Sequence, residues 1–500
     1  MGILIPGAHF FGQQDGEKTS AEMDNFMNNI PISFTSVLRI QCVAISICWL
    51  QPFAHAAVPL SPGSNIQRAV SVAPEGTVFT LAAGTYRMQS VKPKNGDVFQ
   101  GQGGVIFDGA QILTFQPIGG LWYADAKFDN FEHGKCETSH PFCVDDQDLF
   151  IDGKYQLPAP SKMGLQPGSW YFDHLSNQLY LPSDPEGHTV ELGMSKYAFY
   201  GAASGVKLIG IVVEKYANPG QTGAVGGETW GNGLGSTWSL QNVESRWNHG
   251  AGAILGAGGT ISQCSFHHNG QIGVKMTGAN VSLIDNDIGW NNQQGFATGW
   301  EAGGAKFWNT SNLVVKLNHV HDNLGMGLWT DTNNINTTYE QNTIENNLSG
   351  GIMHEVSYAA LIKNNTVSGN AAGQLIWLEN GQILIQNSSN VEVVGNTVVV
   401  PATGGNGITL VNQNRGSGIN GPWVIQNDSV HDNTITYLGS KGYSGIADDT
   451  KPHASNSNSF DANRYILKGG GTNHWYWYYD MSWEKMTQVG HQETHGNCCK

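Results

Sequence analysis

The sequence predicts an all-β fold, a solenoid of stacked parallel strands, and three observations carry the prediction. The first is a phrase that returns along the chain: a short apolar run, an Asn-rich turn, a Gly and another apolar run. It stands at NVESRWNHGAGAIL from residue 242, QCSFHHNGQIGVKM from 263, NDIGWNNQQGFAT from 286, NHVHDNLGMGLWTD from 318, NTIENNLSGGIMHE from 342 and NTVSGNAAGQLIWLE from 365. Its turn asparagines, Asn248, Asn269, Asn292, Asn323, Asn347 and Asn370, are spaced 21, 23, 31, 24 and 23 residues apart, the period of a repeat array. The second is residue type: the runs are short, Val/Ile-rich and broken by Gly and Asn, with neither a fixed Leu ladder nor helical amphipathicity, so the coils are made of strands. The third is composition, with 65 Gly in 500 residues and 13% charged, well under the roughly 25% usual for a soluble globular protein.

Residues 1–56 read as a leader and signal peptide. Residues 40–50 are strongly apolar yet too short to span a bilayer, Arg39 precedes them, and Ala54, His55 and Ala56 form a small-residue cleavage site. The expectation is a secreted or periplasmic protein, free of the membrane once the leader is removed and starting at Ala57, with Met23 or Met27 as the true initiator. Export permits disulfides, and Cys136 and Cys143 flank a short loop that a bridge would close. Cys264, in an apolar run, reads as a small buried hydrophobe.

Residues 111–195 lack the repeat and show hairpin-like alternation with Pro/Gly punctuation, which predicts a small β module inserted into an early coil. Asp145, Asp146 and Asp148 within it are irregularly spaced and read as solvated turn carboxylates rather than a calcium loop. In the main array, residues 196–437, turn asparagines tolerate left-handed backbone, and Asn286, Asn318, Asn342, Asn365, Asn396 and Asn433 are expected to share amide bonds along the axis. After residue 438 the pattern fades, and HWYWYYDMSWEKMTQVGHQ at 474–492 predicts an aromatic patch and a short helix capping the open end.

These repeats, together with SNIQRAVSVAPEGTVFTLAAGTYRM at 64–88 and VIFDGA at 105–110, resemble the right-handed parallel β-helix proteins of the pectin-lyase-like class. The resemblance covers roughly residues 60–110 and 196–437, and it implies N-terminal β-helix coils at 57–110. Right-handed winding also follows the general preference of parallel crossovers. The class spans lyases, hydrolases, esterases, epimerases and noncatalytic adhesins, so fold alone implies no reaction.

Chemistry is expected where the repeat carries residues a ladder does not need. Aligning GLWTD at 327–331 with GIMHE at 351–355 and with the run ending LIWLEN puts Asp331, Glu355 and Glu379 at one place in three successive coils, 24 residues apart. Parallel neighbours lie about 4.8 Å apart, so Asp331 and Glu355 would hold carboxyls on the order of 5 Å apart, each shifting the other's titration. A separation of about 5–5.5 Å suits a retaining glycosidase; Asp331 with Glu379 would fall near the upper end of the inverting range, about 6.5–9.5 Å. The excursion GWEAGGAKFWNTSN brings Trp300, Glu301, Lys306 and Trp308 beside this column, and Trp329 and Trp377 precede Asp331 and Glu379 by two residues. Exposed tryptophans offer flat faces for sugar rings.

The series EAGGAK, GLWTD and HE is similar to that of β-helix glycoside hydrolases of the β-xylosidase type. That resemblance implies Asp331 as nucleophile, Glu355 as acid/base, Glu301 as a second acid/base candidate or a sugar-hydroxyl ligand, and Lys306 as an orienting cation. Trp300, Trp308, Trp329, Trp377, His354 and Glu379 complete the expected substrate-binding set.

Other classes fit less well. Twenty-five basic against 40 acidic residues, a net charge of −15, disfavour nucleic acid and long polyanions. A uronate lyase or epimerase would need cations, sparse in the central coils beyond Lys275, Lys306 and Arg415. A noncatalytic carbohydrate-binding or adhesive solenoid would keep the tryptophans without needing paired acids. His267, His268, His319, His321 and His354 punctuate the coils, but no pair has helical i, i+4 spacing, so hydrogen bonding rather than metal binding is expected, and no cofactor.

Overall fold

The computed structural model describes residues 57–128, 132–227, 233–374, 377–450 and 457–499. Residues 1–56, where a leader and cleavage site are expected, lie outside the described residues. Within them no helix is long and apolar enough to cross a membrane.

Each coil gives one strand to each of three long sheets. The first and second sheets have 13 strands and the third has 12 among the described residues, and neighbouring strands come from successive coils. Pairing is parallel throughout the stack, as in Ser265–His267 on Asp287–Gly289 and Asp287–Gly289 on His319–His321, until the antiparallel Asp480–Met481 closes the third sheet. Alternate side chains point inward and form one continuous apolar core from Leu60 to Met486.

The corners explain the asparagines. Strands of the first and second sheets are joined by two-residue turns whose first residue is left-handed: Gln263, Asp285, Leu317, Gln341 and Asn364 all have φ between 55° and 60°. The second residue is the ladder asparagine. Nδ2 of Asn318 donates to Oδ1 of Asn342 at 2.9 Å, Asn342 to Asn365 at 2.9 Å, and Asn365 to Asn396 at 3.0 Å. The ladder residue is thus kept for its amide, and its neighbour absorbs the left-handed backbone. A second ladder lines the next corner through Asn248, Asn269, Asn291, Asn323, Asn347 and Asn370. The expected member Asn292 stands one residue off: it is left-handed, with φ 72°, and its carboxamide oxygen accepts from Phe296 N instead. Cys264, free and buried, occupies a position of the first ladder, its N–H donating to Asn286.

Insertions gather at the two corners that flank the third sheet. The largest follows Val105–Asp108 and forms an eight-stranded, mainly antiparallel sheet from Ala110–Ile112 to Val190–Gly193 with its own apolar core. It is bound to the coils by Glu191, which meets Arg87 at 2.8 Å and Lys215 at 2.6 Å. Asp148 corrects the expectation of solvated acids: it is buried against His249 at 3.1 Å, and that ion pair lifts the imidazole to about 9 against the opposing effect of burial.

Caps close the stack. At the start Ile66–Val72 forms a helix, its Asn65 side chain accepting from Arg68 N, with Ile66 and Val70 in the core. Coils continue beyond residue 437: Ser444–Asp448, Ser459–Asp461 and Arg464–Leu467 each extend a sheet. The final cap is the helix Trp483–Gln488, whose Met486 is fully buried.

Candidate active site

The outward face of the third sheet gathers the charged and aromatic residues singled out in the sequence. Strand Met326–Asp331 alternates so that Leu328 and Thr330 point into the core while Trp329 and Asp331 point out; register pairs Asp331 with Glu355 on Gly350–Glu355 and with Trp308 on Gly303–Ser311. Trp308, Asp331 and Glu355 therefore form one outward column, with Lys275, Lys306, Trp329 and Met353 in the column beside it.

Charges interlock across these columns. Lys306 Nζ lies 2.9 Å from Asp331 Oδ2 and 3.3 Å from Glu301 Oε2, and Lys275 is paired with Glu301 Oε1. Thr332 Oγ1 donates to Asp331 Oδ1 at 2.8 Å. Glu355 is buried, receives Trp329 Nε1–H at 3.0 Å on Oε2, and meets Arg415 at 2.8 Å on Oε1. Burial first, and the charge of Asp331 second, raise Glu355 above the ordinary carboxyl range, against the opposing pull of Arg415 and the Trp329 N–H. Glu301 behaves oppositely. Burial pushes it up, but Lys275 and Lys306 outweigh that and hold it below its ordinary value. A pocket of about 290 Å³ opens between Gln221, Lys275, Glu301, Lys306, Trp308, Asp331 and Thr332.

Local structure explains how these groups are delivered. A 32-residue coil, measured from Asn291 to Asn323, carries the one-turn helix Thr298–Glu301. The inserted segment props this excursion: Ala297 N donates to Lys135 O, Thr298 N to Glu137 Oε1, and the disulfide Cys136–Cys143 packs with Phe296, Ala302 and Trp300. Gln221 Nε2 and Gln271 Nε2 then donate to the Glu301 carboxylate and carbonyl at 3.2 and 2.9 Å. Arg415 arrives on the loop after Asn406–Asn412, which is tied down by Tyr358 OH to Gly421 O at 2.9 Å and by Ile419 N to Asn333 Oδ1 at 3.1 Å.

Five expected site residues, Glu379, Trp377, His354, Trp329 and Trp300, are placed otherwise by the structure. Glu379 is not in the carboxylate column, because the coil from Ser357 to Ser388 is 31 residues long, and the extra residues put Gln386 opposite Glu355. Glu379 and the exposed Trp377 sit in the turn before Gly381–Gln386, where their carbonyls accept from Asn406 Nδ2. His354 points inward: fully buried, it bonds Thr330 Oγ1 at 2.6 Å and Tyr358 O at 2.8 Å, and burial pulls its imidazole down to about 4. Trp329 is not a free platform; it is 8% exposed and Lys306 Nζ covers its ring at 3.8 Å from the centroid. Trp300 stacks on Phe296 outside the pocket lining, which leaves Trp308 as the tryptophan beside the pocket. The few cations of the central coils, Lys275, Lys306 and Arg415, all converge here, each on a carboxylate. Gln221, Gln271 and Thr332 carried no signal in the sequence, since their placement depends on register and on the excursion.

Comparison with known proteins places the architecture. The family model described as "Right handed beta helix region" matches residues 229–398. No curated protein sequence matches the chain. Among solved structures, XylC in complex with xylose is 14% identical over 82% of this chain and 83% of its own, with a TM-score of 0.63. The A-module of the mannuronan C-5 epimerase AlgE6 of Azotobacter vinelandii is 13% identical over 87% and 93%, with a TM-score of 0.46. A structure described as a glycoside hydrolase is 10% identical over 81% and 89%, with a TM-score of 0.38. Sheets, repeat and matched region agree, and the chain is a right-handed parallel β-helix.

Proposed function

We propose that this protein is a secreted carbohydrate-active enzyme, a retaining glycoside hydrolase acting on neutral oligo- or polysaccharide. The observation that carries the reading is the register of Asp331 and Glu355 on adjacent strands, about 4.8 Å apart, which allows outward carboxyls the separation of about 5–5.5 Å that double displacement uses. The carboxylate of Asp331, oriented by Lys306 and Thr332, attacks the anomeric carbon; Glu355, whose burial and neighbour Asp331 favour the protonated form, gives its proton to the departing glycosidic oxygen. Water then loses a proton to Glu355 and displaces Asp331. Glu301, held ionised by two lysines, serves as their counter-charge and a hydroxyl ligand rather than as an acid. The likeness of fold to XylC, solved with xylose, supports a sugar ligand.

Proton NMR of the first-formed anomer tests the pairing: retention is expected, and inversion would sink it. Asp331→Ala should lose turnover on every substrate, whereas Glu355→Ala should keep part of its rate on aryl-glycosides whose leaving groups need no proton. A second reading, a uronate lyase or epimerase, draws on the convergence of Lys275, Lys306 and Arg415. Unsaturated, ultraviolet-absorbing products from uronate polymers would select it.

A further inference from the structure

We propose that Asp287, His319 and His321 on the outward face of the second sheet form a binding site for a divalent transition-metal ion such as zinc. Asp287 and His319 are register partners on adjacent strands, and His321 is two residues further along the same strand as His319. One ligand atom from each lies within 4.8 Å of the other two. His319 Nδ1 stands 3.2 Å and His321 Nε2 3.4 Å from the same oxygen, Asp287 Oδ2. A tetrahedral ion with bonds of about 2.0–2.1 Å sets its ligands about 3.3 Å apart.

The outer ring nitrogens face carboxylates as well. His319 Nε2 faces Glu345 Oε1 at 2.9 Å, and His321 Nδ1 faces Asp322 Oδ2 at 2.9 Å. Each ring thus stands between two carboxylates, which only accept hydrogen bonds, while a neutral imidazole has one N–H to give. The two rings are stacked 4.1 Å apart, and an ion on the inner nitrogens would leave each outer N–H to donate to Glu345 or Asp322, the carboxylate–histidine arrangement that orients metal ligands. Space has also been left for the His321 ring. A Cβ at Gly289, its register partner, would lie 2.6 Å from Cε1. The i, i+4 criterion applied to the sequence belongs to helices; on a sheet, an i, i+2 pair and a neighbour in register converge equally well.

The test uses protein stripped with a chelator, returned to chelator-free buffer near neutral pH and titrated with zinc chloride in a calorimeter. One ion per chain is expected, with micromolar or tighter affinity. His319→Gln, at a half-exposed ring whose loss leaves the core intact, and Asp287→Asn should each weaken binding by about 100-fold or more, and Asp322→Asn and Glu345→Gln by about 10–100-fold. Circular dichroism verifies that the variants are folded. Absence of stoichiometric zinc binding, or binding that His319→Gln and Asp287→Asn leave unmoved, overturns the proposal. Because the carboxylate pocket lies on the third sheet, hydrolysis is expected to be indifferent to zinc, and the two proposals stand or fall separately.

Discussion

Glu355 shows how one residue's surroundings set its role. Burial and Asp331 favour its proton, while Arg415 and the Trp329 N–H oppose them, and the net shift is upward. A raised acid works below its folded pKa and fails as pH rises through it, so the alkaline limb of kcat/KM is expected to report Glu355. Replacing Arg415 by Met removes a group that lowers this pKa, and the alkaline limb should move to higher pH. A profile that stays fixed, or moves to lower pH, would separate Arg415 from the acid. Asp331 and Glu355 were readable because the sequence keeps a 24-residue coil between their strands, the interval from Thr330 to His354. Glu379 was misplaced by the same arithmetic, since counting residues cannot distinguish a strand from the turn that lengthens the next coil.

Single elements have separable energetics. Asn342 accepts from Asn318 and donates to Val315 O and to Asn365, wholly buried. Asn342→Ala strands these partners and should lower stability by about 3 kcal/mol or more in urea unfolding. A loss no larger than that of an exposed Asn→Ala would mean the ladder is ornamental. The bridge Cys136–Cys143 spans a sequence separation of 7 and props the Glu301 excursion. Its double replacement by Ser should cost about 2.5 kcal/mol and reduce turnover beyond what the folded fraction accounts for. The ladders were legible because side-chain amides must repeat at the coil period. The one-residue slip from Asn292 to Asn291 was not, because a left-handed residue and a ladder residue lie side by side and asparagine suits either place.

On the scale of the whole molecule, a stack of coils depends on its ends. Glu493 terminates the first ladder, accepting from Asn463 Nδ2 and Tyr465 OH at 2.8 Å each, and burial lifts it to about 7. In the unfolded chain this carboxyl titrates at about 4.3; the folded state keeps the proton longer, so its contribution to stability is full below that value and is lost as pH rises to about 7. Thermal unfolding should therefore shift to lower temperature across that window, and Glu493→Gln should flatten the shift. An unchanged slope in the variant would assign the pH dependence elsewhere.

The stack of coils follows from the repeat, whereas the surroundings of the carboxylates on the third sheet are built from segments that break it: the module after Asp108, the excursion holding Glu301 and the loop carrying Arg415. The corner between the first and second sheets stays at two residues throughout the main stack, from Asn242-Val243 to Asn433. This division separates what must be inherited unchanged from what is open to revision. Loops at the third sheet can be lengthened, shortened or exchanged without re-laying a single rung, so a new ligand preference is within reach of changes that leave the stack untouched, whereas one residue gained at the tight corner would break the amide bonds between its own rung and those on either side.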